Sequence, residues 1–132
     1  MSAIVKASWK GDSRFEAETP GGNILMSAAE DGGLGPKALM LDALVGCTGI
    51  DIIFLINKMR LSVDDVKLEA EATLTEEHPK YYDKVKVTYH FFGDELDQTK
   101  LEKAVNLSAE KYCGVMEMFR QFAEIDIVIK YN

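Results

Sequence analysis

The chain has 132 residues, 47% of them hydrophobic and 28% charged, with a formal net charge of -7 and two cysteines. That length predicts one domain over residues 1–132, able to bury roughly two thirds of its unfolded surface, and the composition excludes fibrous and disordered classes. An acidic balance with no stripe of Lys and Arg excludes nucleic acid as the expected partner. No charged start followed by an apolar run marks a signal peptide, so the cytoplasm is the expected compartment, and there a cysteine pair is not a structural disulfide by default.

In chain order, Ala3–Trp9 alternates weakly, with Ala3, Val5, Ala7 and Trp9 on one face, and reads as a strand. Gly11-Asp12-Ser13 is a turn. Arg14–Thr19 alternates again, with Phe15 and Ala17 inward, until Pro20-Gly21-Gly22 ends it, and Asn23–Ser27 is a short third strand. The glycine-rich loop that follows leads into Gly35–Lys58, read as one long helix with Pro36 in its first turn, where the missing N–H costs nothing. Leu39, Met40, Leu41, Leu44, Val45, Ile50, Ile52, Ile53, Phe54, Leu55 and Ile56 surround it on every side, which predicts either a membrane span or the buried centre of a domain. Asp42 and Asp51 interrupt the run before it reaches the ~18 to 20 apolar residues a span requires, so a buried central helix is expected and no membrane partner. Both carboxylates then need partners or a wet seam between subunits.

Beyond Arg60 the pattern returns to alternation. Val66, Leu68, Ala70, Ala72 and Leu74 face one way against Lys67, Glu69, Glu71 and Thr73. After a polar turn at Glu76–Lys80, Val85, Val87, Tyr89 and Phe91 face inward, with Lys84, Lys86, Thr88 and His90 outward. An antiparallel hairpin would set the acidic outer face beside the basic one. Asp97 is placed to cap a helix that buries Leu101, Ala104, Val105 and Ser108 and runs towards Tyr112. Gly114 should break it before a short helix carrying Val115, Met118, Phe119 and Phe122, and Glu124–Tyr131 is a last strand. Hairpins rather than regular strand-helix-strand units give an α+β fold around an antiparallel sheet.

The residues with chemical potential are few. Cys47 lies mid-helix between Gly46 and Gly49, which leave room around the sulfur, and Cys113 precedes a helical segment whose free N–H groups favour a thiolate. The plainer reading makes both small buried hydrophobes. His78, before Pro79, reads as a surface turn residue and His90 as a wet-face strand residue. Two histidines and two cysteines at these spacings match no zinc motif, so no metal is expected. Arg14, Arg60 and Arg120 read first as surface charges.

Three ordered stretches, GPKALMLDALVGCTGIDI, EEHPKYYDKVKVTYHFFG and LSAEKYCGV, resemble the central-helix motif, the His-Pro hairpin and the second cysteine motif of the OsmC/Ohr family (osmotically inducible and organic hydroperoxide resistance proteins). The LSxEKYC form resembles the OsmC-like branch. The resemblance implies an OsmC-like fold in an intertwined homodimer, with two long helices enclosed by sheets and active sites at the subunit interface. It makes Cys47 the peroxidatic cysteine, oxidised by an organic hydroperoxide to a sulfenic acid, and Cys113 the resolving cysteine. No cofactor is implied beyond an external dithiol that reduces the resulting disulfide. Met40, Leu44, Met116 and Phe119 would contribute to an apolar substrate pocket. One departure stands out: the peroxidase branch has a Glu near the helix start, salt-bridged to an N-terminal Arg, and here the helix start reads Lys37-Ala38. Arg14, the only N-terminal arginine, is the candidate thiolate activator.

The expected function is therefore a cytoplasmic thiol-dependent peroxidase for organic hydroperoxides. The rival is a non-catalytic protein on the same scaffold that holds a small apolar or reactive ligand in the interface pocket, and a third reading is an interaction domain with inert cysteines. The missing Glu favours the second, whereas both cysteines at motif positions favour the first.

Overall fold

A computed structural model describes all 132 residues, and the chain divides into two compact units, Met1–Met40 and Leu41–Asn132. The first unit is an antiparallel meander of β1 (Lys6–Trp9), β2 (Phe15–Thr19) and β3 (Gly22–Met26), with Trp9 opposite Phe15 and Phe15 opposite Met26. Its second turn, Thr19-Pro20-Gly21-Gly22, places Gly21 at φ 96, the left-handed value that a glycine after proline adopts without strain. The strand expected from Ala3 begins only at Lys6, where pairing with Glu18 starts. Phe15, expected inward, is 45% exposed; Ala17 is the buried strand residue of this unit, because nothing within the three-stranded meander covers its larger side chains.

The second unit holds a three-stranded sheet of β4 (Asp65–Leu74), β5 (Tyr82–Phe92) and β6 (Glu124–Tyr131), with β5 central. The β4–β5 hairpin has the expected cross-strand charges: Glu71 faces Lys86 with an ion pair of 3.6 Å, and Glu69 reaches His90 Nε2 at 2.6 Å. The sheet is mixed rather than antiparallel throughout, since β6 pairs parallel to β5. The two helical segments between them carry the chain back to the same end of the sheet, as a parallel neighbour requires. Thr88, expected on the wet face, is 6% exposed, in the central strand between Glu69 and Val128.

The long helix α1 (Pro36–Met59) starts and stops within a residue of the expected bounds. It is not enclosed on all sides. Its buried positions are Leu44, Thr48, Ile52 and Ile56, a single stripe at every fourth residue, whereas Ile50, Ile53 and Phe54 are exposed, Phe54 by 71%. The stripe joins Val85, Val87, Tyr89 and Phe91 of β5 in the core, at about 1.5 to 3 kcal/mol for each large side chain removed from water. By length and composition α1 would suffice to cross a bilayer, but that stripe is built into the core of the second unit. Gly49 permits a close approach to β4 rather than room around the sulfur: a Cβ there would stand 3.0 Å from Leu68 Cδ1.

Helix α2 (Gln98–Leu107) is capped as its sequence indicates, with Asp97 Oδ1 accepting from Lys100 N at 3.1 Å, and it buries Leu101, Ala104 and Val105. The chain then stays helical through one wide π turn, Ser108–Tyr112, before α3 (Gly114–Arg120). Gly114 opens a helix rather than breaking one. The break falls on Cys113, whose backbone is extended at φ -80, ψ 101.

Candidate functional site

Cys47 and Asp51 lie four residues apart on α1 and so share one face, a single turn of about 5.4 Å along the axis. Cys113, at the N-cap of α3, meets that face. The two sulfurs and an Asp51 carboxylate oxygen all lie within 4.8 Å of one another. The cysteines are unbonded; Cys47 is half-buried and Cys113 is 3% exposed.

Local structure explains why Cys113 is held where it is. The π turn leaves its backbone N–H bonded to Ser108 O at 2.8 Å, and its Sγ accepts from Met116 N at 3.3 Å in the manner of a capping oxygen. The side chain of Arg120 donates to Ala109 O, satisfying a carbonyl in the widened turn, and its other nitrogen stands 3.3 Å from Glu117. Ser108 Oγ, buried at the start of the turn, donates to Asp51 Oδ2 at 3.1 Å and fixes the carboxylate beside the sulfurs. Below them Thr48 donates its hydroxyl to Leu44 O at 2.9 Å. The Tyr89 hydroxyl is wholly buried and has no hydrogen-bond partner.

The electrostatics oppose a thiolate at Cys113. Burial pushes its thiol up, Cys47 adds to the rise, the Met116 N–H works against it, and the Asp51 charge raises it further, to about 12. Burial likewise carries the Tyr89 phenol to about 12, with Cys113 and Asp51 raising it while Thr48 and Arg120 pull the other way. An open groove of about 350 Å³ borders this cluster, lined by Asp51, Phe54, Leu55, Lys58 and Tyr112.

The other expected site residues fall elsewhere. Leu44, Met116 and Phe119 are fully buried members of the second unit's core, packed with Cys113, and Met40 is 45% exposed. Arg14 lies in the first unit, where Nη1 pairs with Asp12 at 2.7 Å and Nη2 donates to Asp31 O at 3.1 Å. The Asp31 carboxyl is held below its usual range chiefly by the Ser13 hydroxyl and backbone N–H, with Arg14 a smaller contribution. Asp42 is exposed. Asp51 and Ser108 are the residues that sequence reasoning did not place at the site. The i, i+4 spacing from Cys47 was the available signal for Asp51, whereas nothing local marked Ser108, 57 residues from its partner.

Comparison with known proteins gives a consistent result. Protein YhfA of Escherichia coli is 29% identical over 127 residues, covering 95% of this chain and 93% of its own. The crystal structure of a hypothetical protein from Aquifex aeolicus superposes with a TM-score of 0.92 at 29% identity, covering 100% of this chain and 97% of that one. A Legionella pneumophila protein, named an organic hydroperoxide resistance protein and predicted redox protein, shares the fold with a TM-score of 0.68 at 23% identity over 98% and 97% of the two chains. The OsmC-like protein family matches residues 29–128, which include both cysteines and the whole of α1, and the chain belongs to that family.

Proposed function

We propose that this protein is a thiol-dependent peroxidase acting on organic hydroperoxides, with Cys47 as the peroxidatic and Cys113 as the resolving cysteine. The observation that carries this reading is the placement of both sulfurs within 4.8 Å, the more accessible one on α1 and the buried one at the head of α3. The Cys47 thiolate attacks the terminal oxygen of ROOH; the O–O bond breaks, ROH leaves after taking up a proton, and Cys47 becomes a sulfenic acid. The Cys113 sulfur then attacks the sulfenic sulfur, water leaves, and a disulfide forms. An external dithiol returns both cysteines to thiols and is itself oxidised to a disulfide. The groove beside Asp51 gives a hydroperoxide an apolar approach along Phe54 and Leu55. A second copy of the chain, laid against Ile50, Ile53 and Phe54, would remove from water the apolar face of α1 that the single chain leaves exposed. Arg14 is the candidate activating cation in such an assembly, and the family's soluble setting fits a cytoplasmic site of action.

Turnover tests the reading directly. With dithiothreitol as reductant, wild type consumes cumene hydroperoxide continuously and Cys47→Ser consumes none above background; without reductant, Cys113→Ser consumes about one equivalent and retains Cys47 as a sulfenic acid, whereas wild type passes on to the disulfide. Equal rates for wild type and Cys47→Ser would end the proposal.

A second reading, a binding protein that holds a small apolar or reactive ligand, draws on one specific observation. The charged group beside the sulfurs is the Asp51 carboxylate, which adds to the burial that disfavours a thiolate at Cys113. That reading requires hydroperoxide to bind without being consumed.

A further inference from the structure

We propose that in its reduced state the protein binds one zinc ion per chain through Cys47 Sγ, Cys113 Sγ and an Asp51 carboxylate oxygen. Two thiolates and a carboxylate on a half-buried face are the donor set of a zinc site with three protein ligands, which leaves a fourth position for water or an exogenous ligand. The three donor atoms lie within 4.8 Å of one another. Tetrahedral zinc, with bonds of about 2.3 Å to sulfur and about 2.0 to 2.2 Å to oxygen, sets its donors roughly 3.5 to 3.8 Å apart. Rotamer adjustments of about 1 Å therefore close the site, and Cys47 and Asp51 already present from successive turns of one rigid helix.

The outer shell is also in place. A metal-binding carboxylate is normally oriented by a hydrogen bond, and Ser108 Oγ supplies one to Asp51 at 3.1 Å. A metal-bound thiolate is stabilised by N–H donors, and Met116 N points at Cys113 Sγ at 3.3 Å. Tyr89 belongs to the same packed cluster as Cys113, with its hydroxyl buried, and the charges of Cys113 and Asp51 act on it. No zinc motif exists in the linear sequence because the ligands come from α1 and from the α2–α3 junction, 62 residues away after Asp51.

Binding is written as two thiols, one carboxylate and Zn²⁺ giving the metal complex and two released protons. This requires only reduced cysteines and not peroxide turnover, so the site stands or falls separately from the peroxidase reading. The experiment uses the reduced, chelator-stripped full chain titrated with Co²⁺, followed by displacement with Zn²⁺. The expected result is one equivalent bound, a thiolate-to-cobalt charge-transfer band, and loss of that band on adding zinc. Cys47→Ser and Cys113→Ser each lower the band to about half its intensity or abolish it. Asp51→Asn, nearly isosteric and checked for folding by circular dichroism, weakens zinc binding by about 10-fold or more. Asp42→Asn, an exposed carboxylate on the same helix, leaves binding unchanged. Absence of the charge-transfer band at stoichiometric cobalt, or an Asp51→Asn variant that binds zinc as tightly as wild type, overturns the proposal.

Discussion

The middle of α1 and the junction before α3 bring their cysteines to one place by opposite means. On α1 the backbone is a continuous helix, Cys47 is half-buried, and its neighbour Gly46 is exposed with nothing close to it. At the junction the helix widens into a π turn, the backbone extends for one residue, and Cys113 is buried beneath Met116 and Phe119 with its sulfur tied to a backbone N–H. One region presents a sulfur to be reached from outside, whereas the other holds a sulfur to receive it. The peroxidatic and resolving roles proposed above for Cys47 and Cys113 rest on this difference in burial and backbone rather than on the residue type.

Breaking the packed side of this contrast should have the largest effect on stability. Phe119→Ala removes a fully buried ring from the core around Cys113 and should cost about 3 to 5 kcal/mol, while Met118→Ala, 66% exposed one residue earlier, should change stability by less than about 0.5 kcal/mol. Urea denaturation of the two variants checks this, and comparable losses would mean that α3 does not seat Cys113 as described.

The pH dependence of stability sharpens the same contrast. Cys113 and Tyr89 ionise near their ordinary values of 9.0 and 10.0 once the chain unfolds, but only at about 12 when folded. Between those values the unfolded chain has released protons that the folded chain still holds. These groups therefore leave stability intact below about pH 9 and reduce it as the pH rises towards 12. The urea midpoint should fall between about pH 8 and about pH 10.5, and Tyr89→Phe should make the fall shallower. A fall of the same steepness in that variant would assign the loss to other groups.

The smallest effect belongs to the link between the two regions. Ser108→Ala deletes the hydrogen bond to Asp51 and should cost about 0.5 to 1.5 kcal/mol, with the carboxylate freed to turn towards water. A double-mutant cycle with Asp51→Ala, which removes the accepting oxygens, checks it: the two changes should be non-additive, and simple addition would deny the contact.

Much of this was legible in the sequence, and the limits are physical. Alternation located β4 and β5, the Asp97 cap located α2, and the Pro36 start located α1, because each depends on neighbours within a few residues. Burial was less legible. Phe15 and Phe54 have the residue type of a core but lie exposed in the single chain, since periodicity reports which face a side chain occupies and not whether anything covers it. The parallel pairing of β6 and the π turn before Cys113 depend on where a whole helical crossover lands, which no local signal encodes. Both cysteines could be named as candidates from sequence, whereas the partner of Asp51 required the folded chain to bring Ser108 across 57 residues.

The most direct test of the central claim is the mass and free-thiol count of the purified protein before and after one equivalent of cumene hydroperoxide, beside the Cys47→Ser variant. The account predicts that wild type loses two hydrogens and both thiols, while the variant keeps its Cys113 thiol and forms no intramolecular disulfide. Survival of both wild-type thiols in excess peroxide would contradict it.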